Sequence, residues 1–399
     1  MYANWGGDDF MDLKEIKVNP SYENTLQMKA FVGMLNSTSQ SYKFYWLEAI
    51  LNLLLTKDVM SFREIIDEML WQAWYTVTQY HLHLGPTIEG KCENYIEHAI
   101  HVLEEEPNLP SSISRDDFTE LLDRHRKEIR PDVYGLIKNV PYRLLSSFMD
   151  EVSGDASIWD NKERLIKYIS ALNDKVTLPY IIENGPGAEK KVLINPVWKQ
   201  VFMDNLSLIK SWIQMKKVEY LQQRNPEVPG IIYKLEEHKE VRDLKNVRAL
   251  WLSYEAFTGK KLLDTYNGKE IEVLSIDHFI PWSYVANDEL WNLVPMDKNN
   301  NSSKGNRLPN WEIFFPKLSK VQFELYKAAG SNSAVQKCFE ACRRNNLNTR
   351  WAEVSLYGKP NTEEEFQRIF AHNARPIYDS AYYLGYKVWD YTGVSEEKE

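Results

Sequence analysis

Asp277 and His278 stand side by side, Asn292 follows, and Asn301 precedes Lys304 by three positions, a set that writes as D-H-x13-N-x8-N-x2-K. A carboxylate and a carboxamide are oxygen donors, so Asp277 and Asn301 are candidate ligands for a hard divalent cation, Mg2+ (or Mn2+). Two protein oxygens leave most coordination positions to water and a bound anion. Histidine exchanges a proton near neutral pH, which makes His278 the candidate general base. Lys304 is the candidate point charge for an anionic substrate, and Lys298 and Arg307 are further candidates for binding it.

These residues need a scaffold, and the sequence predicts one. Ser275 to Ile280 reads as a short strand ended by Pro281, and Leu290, Leu293 and Val294 as a second apolar run stopped by Pro295. Ser283 to Glu289 between them is polar enough for a surface loop. Asp297 can cap a short helix that Gly305 ends. Strand, loop, strand and helix would bring Asp277, His278 and Asn301 together.

From Phe257 to Pro309 this stretch resembles an HNH, or ββα-metal, nuclease, with a spacing similar to the HNH domains of RNA-guided DNA-cutting effectors and related restriction nucleases. The resemblance implies metal-assisted hydrolysis of DNA phosphodiesters, leaving 5'-phosphate and 3'-hydroxyl ends. Charge then builds on the phosphate oxygens while water loses a proton, the two needs that a cation at Asp277 and Asn301 and a base at His278 would meet. It also implies that Asn292 holds the hairpin and orients His278 through its backbone, and that Lys304 faces the phosphate. One departure stands out: the paired cysteines that bind structural zinc in many HNH proteins are missing, so the hairpin must be held by packing, which Trp282, Tyr284, Trp291 and Trp311 can supply. At family level the analogy points to an anti-phage or restriction effector. Two rivals are the cutting subunit of an RNA-guided complex and a non-catalytic nucleic-acid-binding scaffold.

A chain of 399 residues suggests two or three domains. The expected fold is mainly α with a small α+β insertion. It divides into a helical regulatory or recognition region over 1–225 with a hairpin near 176–195, the nuclease module over 240–316, and a C-terminal helical region over 317–399. The best boundary is Asn225 to Gly230, with Pro226 and Pro229. Three cysteines make no disulfide framework, which fits a reducing cytoplasm. The longest apolar run, near Leu47 to Leu55, is too short to span a bilayer, so no membrane partner is expected.

The net charge of -9 is unusual for a protein that binds phosphate backbones. Charge is uneven along the chain, however. Lys216, Lys217, Arg224, Lys234, Arg242, Lys245, Arg248, Lys260 and Lys261 precede the motif, and Lys298, Lys304, Arg307, Lys317 and Lys320 follow its start. They either line one groove or sit on solvated helix faces among acids, and the sequence leaves both open. The acidic total predicts weak non-specific binding to DNA and help from a protein partner or a homo-oligomer.

Elsewhere helices dominate. Met1 to Tyr22 reads as an arm, Tyr42 to Thr56 as a buried helix, and Ser61 with Glu64 as a capping box that opens the next one. Further helices are expected at Glu93 to Leu103, from Ser114 to about Lys127, and at Tyr142 to Val152 and Asn161 to Leu172. Val176 to Glu183 and Lys190 to Ile194 read as a hairpin, and Asn195-Pro196 starts a helix through Gln223. Beyond the motif come Ser319 to Asn345, a helix capped by Thr362 and Glu365, an aromatic helix Ile377 to Tyr391 of core type, and an acidic tail after Val394. His81, His83, Cys92, His98 and His101 match no zinc pattern and read as packing or surface residues.

Overall fold

Several of the helices form where the sequence joins a capping side chain to apolar positions three and four apart. The computed structural model describes residues 26–36, 38–88, 91–92, 94–107, 109, 112–149, 155–236, 244–345 and 349–391. The arm expected at Met1 to Tyr22 and the tail after Val394 lie outside the described residues. The fold is mainly helical with small sheets, and it separates into two compact units, Met1–Pro226 and Glu227–Glu399.

In the first unit, α1 (Met28–Gly33) precedes α2 (Tyr42–Leu53), in which Phe44, Tyr45, Trp46, Leu47, Ile50 and Leu51 are all buried. Strand β1 (Val59–Ser61) runs into α3 (Phe62–Thr78). Ser61 closes the expected capping box: its Oγ accepts from Glu64 N at 3.2 Å, and Glu64 Oε2 accepts from Ser61 N at 2.8 Å. A two-stranded ribbon, β2 (Thr87–Ile88) and β3 (Lys91–Cys92), leads to α4 (Tyr95–Glu104), capped by Asn94, and Ser114 caps α5 (Arg115–Arg124).

The helix expected over Tyr142 to Val152 begins and ends earlier, as α6 (Arg130–Arg143). Pro141 withholds a donor in its last turn, and the chain tightens into a 3-10 turn at Leu144–Phe148. After α7 (Ala156–Asp160) and α8 (Lys162–Asn173), β4 (Tyr180–Glu183) and β5 (Lys191–Ile194) form the expected hairpin. β1 pairs antiparallel with β5; at three residues it is too short for a two-residue period to be visible in sequence. The helix expected from Pro196 to Gln223 is two, α9 (Pro196–Asp204) and α10 (Leu206–Arg224). Asn205 leaves the helical region between them and bonds its side chain back to the Val201 carbonyl. Two histidines of this unit that the sequence groups together are engaged with acids: His83 with Glu97 at 2.9 Å and His98 with Asp132 at 3.0 Å.

In the second unit, α11 (Lys245–Thr258) ends on Gly259, whose φ of 65° is the left-handed conformation of a helix stop. Next come β6 (Leu274–His278), α12 (Trp282–Val285), a 3-10 turn at Leu290–Asn292, β7 (Leu293–Asp297) and α13 (Lys298–Lys304). The Ser283 to Glu289 segment is therefore not a plain surface loop. Ser283, Tyr284, Val285 and Glu289 are buried, and Glu289 accepts from the Trp291 indole at 2.7 Å and from Thr349 N at 2.8 Å.

The carboxyl end is α14 (Trp311–Ser331), α15 (Ser333–Asn345) and α16 (Glu363–Tyr383). Asn332 divides the expected helix Ser319 to Asn345, since its extended backbone stops α14 and its Oδ1 caps α15 by accepting from Ala334 N and Val335 N. α16 runs unbroken through Pro376, so the expected separate helix Ile377 to Tyr391 is absent. Trp389 lies beyond α16 and is tied to the module by a bond from its backbone N to the Leu308 carbonyl.

Candidate active site

β6 and β7 pair antiparallel with Asp277 opposite Val294 and His278 opposite Leu293. Pro295 sits inside β7 opposite Ile276 rather than ending the run before it. Antiparallel ladders alternate inward and outward bonds, and Phe279 N donates to the Asn292 carbonyl at 2.8 Å, so Pro295 occupies an outward position where its missing N–H costs no ladder bond. Its carbonyl accepts from Thr265 Oγ1 at 2.9 Å.

Alternation along β6 sends Ser275 and Asp277 to one face. α13, capped by the Asp297 side chain, crosses that face, and Asn301 and Lys304 share one side of it at i, i+3. Asn301 Nδ2 donates to Ser275 Oγ at 2.6 Å, which turns the amide nitrogen toward the sheet. Lys304 Nζ donates to Asp277 Oδ1 at 3.0 Å and to the His278 carbonyl at 2.7 Å. The other carboxylate oxygen, Asp277 Oδ2, accepts from the Tyr266 hydroxyl at 2.5 Å. Burial, and then the Asp277 charge, push the Tyr266 phenol well above its usual range, so it stays a proton donor.

His278 is buried, and its Nε2 lies 2.7 Å from Asp288 Oδ1. Asn292 is fully buried; it grips Ile280 twice, accepting from its N–H and donating to its carbonyl, both at 2.8 Å. The turn after His278 is thus fixed from both sides.

Residues 255–310 match the family model described as HNH endonuclease. The C-terminal half carries an HNH domain. No curated protein and no solved structure matches the chain. The HNH domain supports nuclease activity and implies a nucleic-acid substrate, and no described helix is long and apolar enough to cross a membrane.

Where the family often uses zinc, Asp264 supports this HNH domain. Its Oδ1 accepts from Tyr266 N at 2.9 Å, and its Oδ2 accepts from Asp297 N and Asn300 Nδ2, each at 2.9 Å. One carboxylate thus joins the preceding turn, the end of β7 and α13. Aromatic packing contributes as the sequence suggests, with Trp311 stacked on Phe315 at 4.1 Å and Trp291 against Phe370.

HNH nucleases generally depend on a divalent metal. Among the described residues no group of three or more His, Cys, Asp or Glu could hold one. The donors at this site fit a water-rich hard cation instead: a carboxylate whose oxygens each keep a second lone pair, and the carboxamide oxygen of Asn301, whose nitrogen is the atom bound to the sheet.

Lys304 departs from the expectation that it faces phosphate. Its side chain is 1% exposed and is spent on Asp277 and the His278 carbonyl. Burial draws its ammonium below the usual lysine range, against the opposite pull of Asp277. Lys298 and Arg307, by contrast, are exposed near the two ends of α13. Of the basic residues ahead of the motif, Lys217 is buried on Glu48, Lys216 pairs with Glu219, Lys261 pairs with Glu255, and Lys234 is buried against backbone carbonyls; Arg242 lies outside the described residues. Lys217 and Lys234 are therefore not available at the surface.

Sequence reasoning missed Asp264, Tyr266 and Asp288. The Asp264-Thr265-Tyr266-Asn267-Gly268 stretch carries the signature of a side-chain-capped turn, which was a usable signal. Asp288 has no such signal, because only the fold of the intervening segment returns it to His278.

Proposed function

We propose that the HNH domain hydrolyses DNA phosphodiester bonds, with Asp277 and Asn301 holding Mg2+ and His278 acting as general base. The observation that carries this reading is the seating of α13 on the Ser275–Asp277 face of β6, which groups Asn301, Asp277 and the His278 backbone within one hydrogen-bonded network. A bound cation would stabilise the charge that develops on the phosphate and the leaving oxygen. His278 takes the proton of the attacking water. Asp288 holds the ring through Nε2, and its carboxylate stabilises the imidazolium that forms.

Asn292 keeps the turn after His278 in place through both polar groups of Ile280. Lys304 serves from behind, setting the Asp277 carboxylate and the end of β6, while Lys298 and Arg307 meet the phosphate backbone. A role as a restriction or anti-phage effector follows by analogy with the nucleases the motif resembles.

The test is supercoiled plasmid incubated with the purified chain, with Mg2+ or with EDTA, and read on a gel. Nicked product should appear with Mg2+ alone, and His278→Ala should lower the rate by about 10² to 10⁴ with DNA binding retained. Wild-type turnover by His278→Ala would sink the mechanism.

A further inference from the structure

The first unit contains a cavity of about 650 Å³ that the nuclease reading does not use. It is a half-open cleft bordered by the turn after α1, by the start of α2, and by the end of α6 with the 3-10 turn that follows. Its volume lies in the range of small-molecule sites. In a chain with 57 acidic against 48 basic residues, the lining holds Lys43 and Arg143 and no carboxylate. Among the described residues neither cation has an acidic ion-pair partner. The remaining wall combines hydroxyls and amides, Ser39, Gln40 and Asn139 among them, with Gly33, Val140 and the Tyr42 ring.

We propose that this cavity binds a phosphate-bearing ligand of nucleotide size, with Lys43 and Arg143 on the phosphates. Two like charges facing one space repel each other, and an anion between them removes that cost. Consistent with this, burial and then the neighbouring Arg143 draw the Lys43 ammonium below the usual lysine range. The Arg143 guanidinium is also held in place, 3.9 Å from the centroid of the Trp159 ring. The first turn of α2 opens on the cavity from the Tyr42 and Lys43 side, where the positive end of the helix favours an anion. Tyr42 stacks with Tyr95 at 16° between planes and brings an aromatic wall of the kind a base uses. A nucleic-acid strand is a poorer fit, since strand binders spread their cations along an open groove and here both line one cavity of limited volume.

Calorimetric titration of the full chain with ADP, adenosine and a short single-stranded oligonucleotide decides the matter. ADP should bind, adenosine should bind about tenfold or more weakly, and Lys43→Met should weaken ADP by about tenfold or more. Ser39→Glu, at an exposed wall position, should weaken ADP similarly through added negative charge, and it carries the test if Lys43→Met misfolds. Absence of ADP binding below about 1 mM, or binding indifferent to both substitutions, overturns the proposal. So does an oligonucleotide that binds through Lys43 while ADP does not, which would make the surface a strand-binding one.

Discussion

Replacing Lys304 by methionine tests the site at its most constrained point. Lys304 and Asp277 are 1% and 4% exposed and 3.0 Å apart, and methionine keeps much of the apolar stem while deleting the charge. Breaking a buried pair by removing one partner costs about 3–5 kcal/mol, because the surviving charge stays buried. For a unit the size of Glu227–Glu399, each kcal/mol lowers the melting temperature by about 2–4 °C, so the variant should lose about 6–20 °C in EDTA. If Asp277 holds the cation as proposed, a bound divalent ion would restore a positive charge beside that carboxylate. Mg2+ at about a hundred times its dissociation constant returns about 2.7 kcal/mol, and the rise on adding it should be larger in Lys304→Met than in the parent. Scanning calorimetry of both proteins in EDTA and in Mg2+ gives the four numbers needed. If the variant melts within about 2 °C of the parent in EDTA, the ion pair is not what holds this junction. If Mg2+ shifts both proteins equally, Asp277 is not where the cation binds.

Three further outcomes are expected. Asp288→Asn should lower kcat by about ten- to a hundredfold with KM little changed, as for groups that orient another side chain, and Asp288→Glu should recover part of the loss; a pure KM effect in steady-state kinetics would contradict the positioning role. Burial lowers the Lys234 amine from 10.5 to about 7, so between those values the unfolded chain holds a proton that the folded one has released. Stability should therefore rise with pH through that window, by at most about 1.4 kcal/mol per unit, and Lys234→Met should flatten the slope of urea midpoints measured at the two ends. Finally, the isolated unit Glu227–Glu399 should cut plasmid at least as readily as the full chain at low salt if the first unit restrains it; a folded but inactive fragment would instead make the first unit a DNA-gripping element.

The ββα arrangement was legible because each of its signals is local: Ile276, Phe279 and Ile280 ahead of Pro281, a capping aspartate at Asp297, and a glycine stop at Gly305. The capping boxes at Ser61 and Thr362 were legible for the same reason. What escaped reading depends on long-range bonds or on backbone breaks without a strong local signature. Asn205 and Asn332 divide helices that periodicity runs together, and Pro376 fails to stop α16, since tertiary packing outweighs propensity. The burial of Lys304 escaped too, because a lysine near a helix end reads as exposed until Asp277 and the His278 carbonyl are seen beneath it.

The outward edge of β7 has a consequence for how this protein meets its neighbours. Leu293, Pro295 and Asp297 direct their backbone groups away from β6, where an incoming strand would normally find a ladder to extend. Here the Leu293 carbonyl is taken by Gln322, Pro295 offers no donor and gives its carbonyl to Thr265, and Asp297 N is held by Asp264. That side of the hairpin is closed to strand addition. A two-stranded sheet with an open margin invites aggregation and domain swapping, and this one is sealed along β7 by side chains and a proline. Strand addition along this edge is therefore not a route by which the second unit associates with itself.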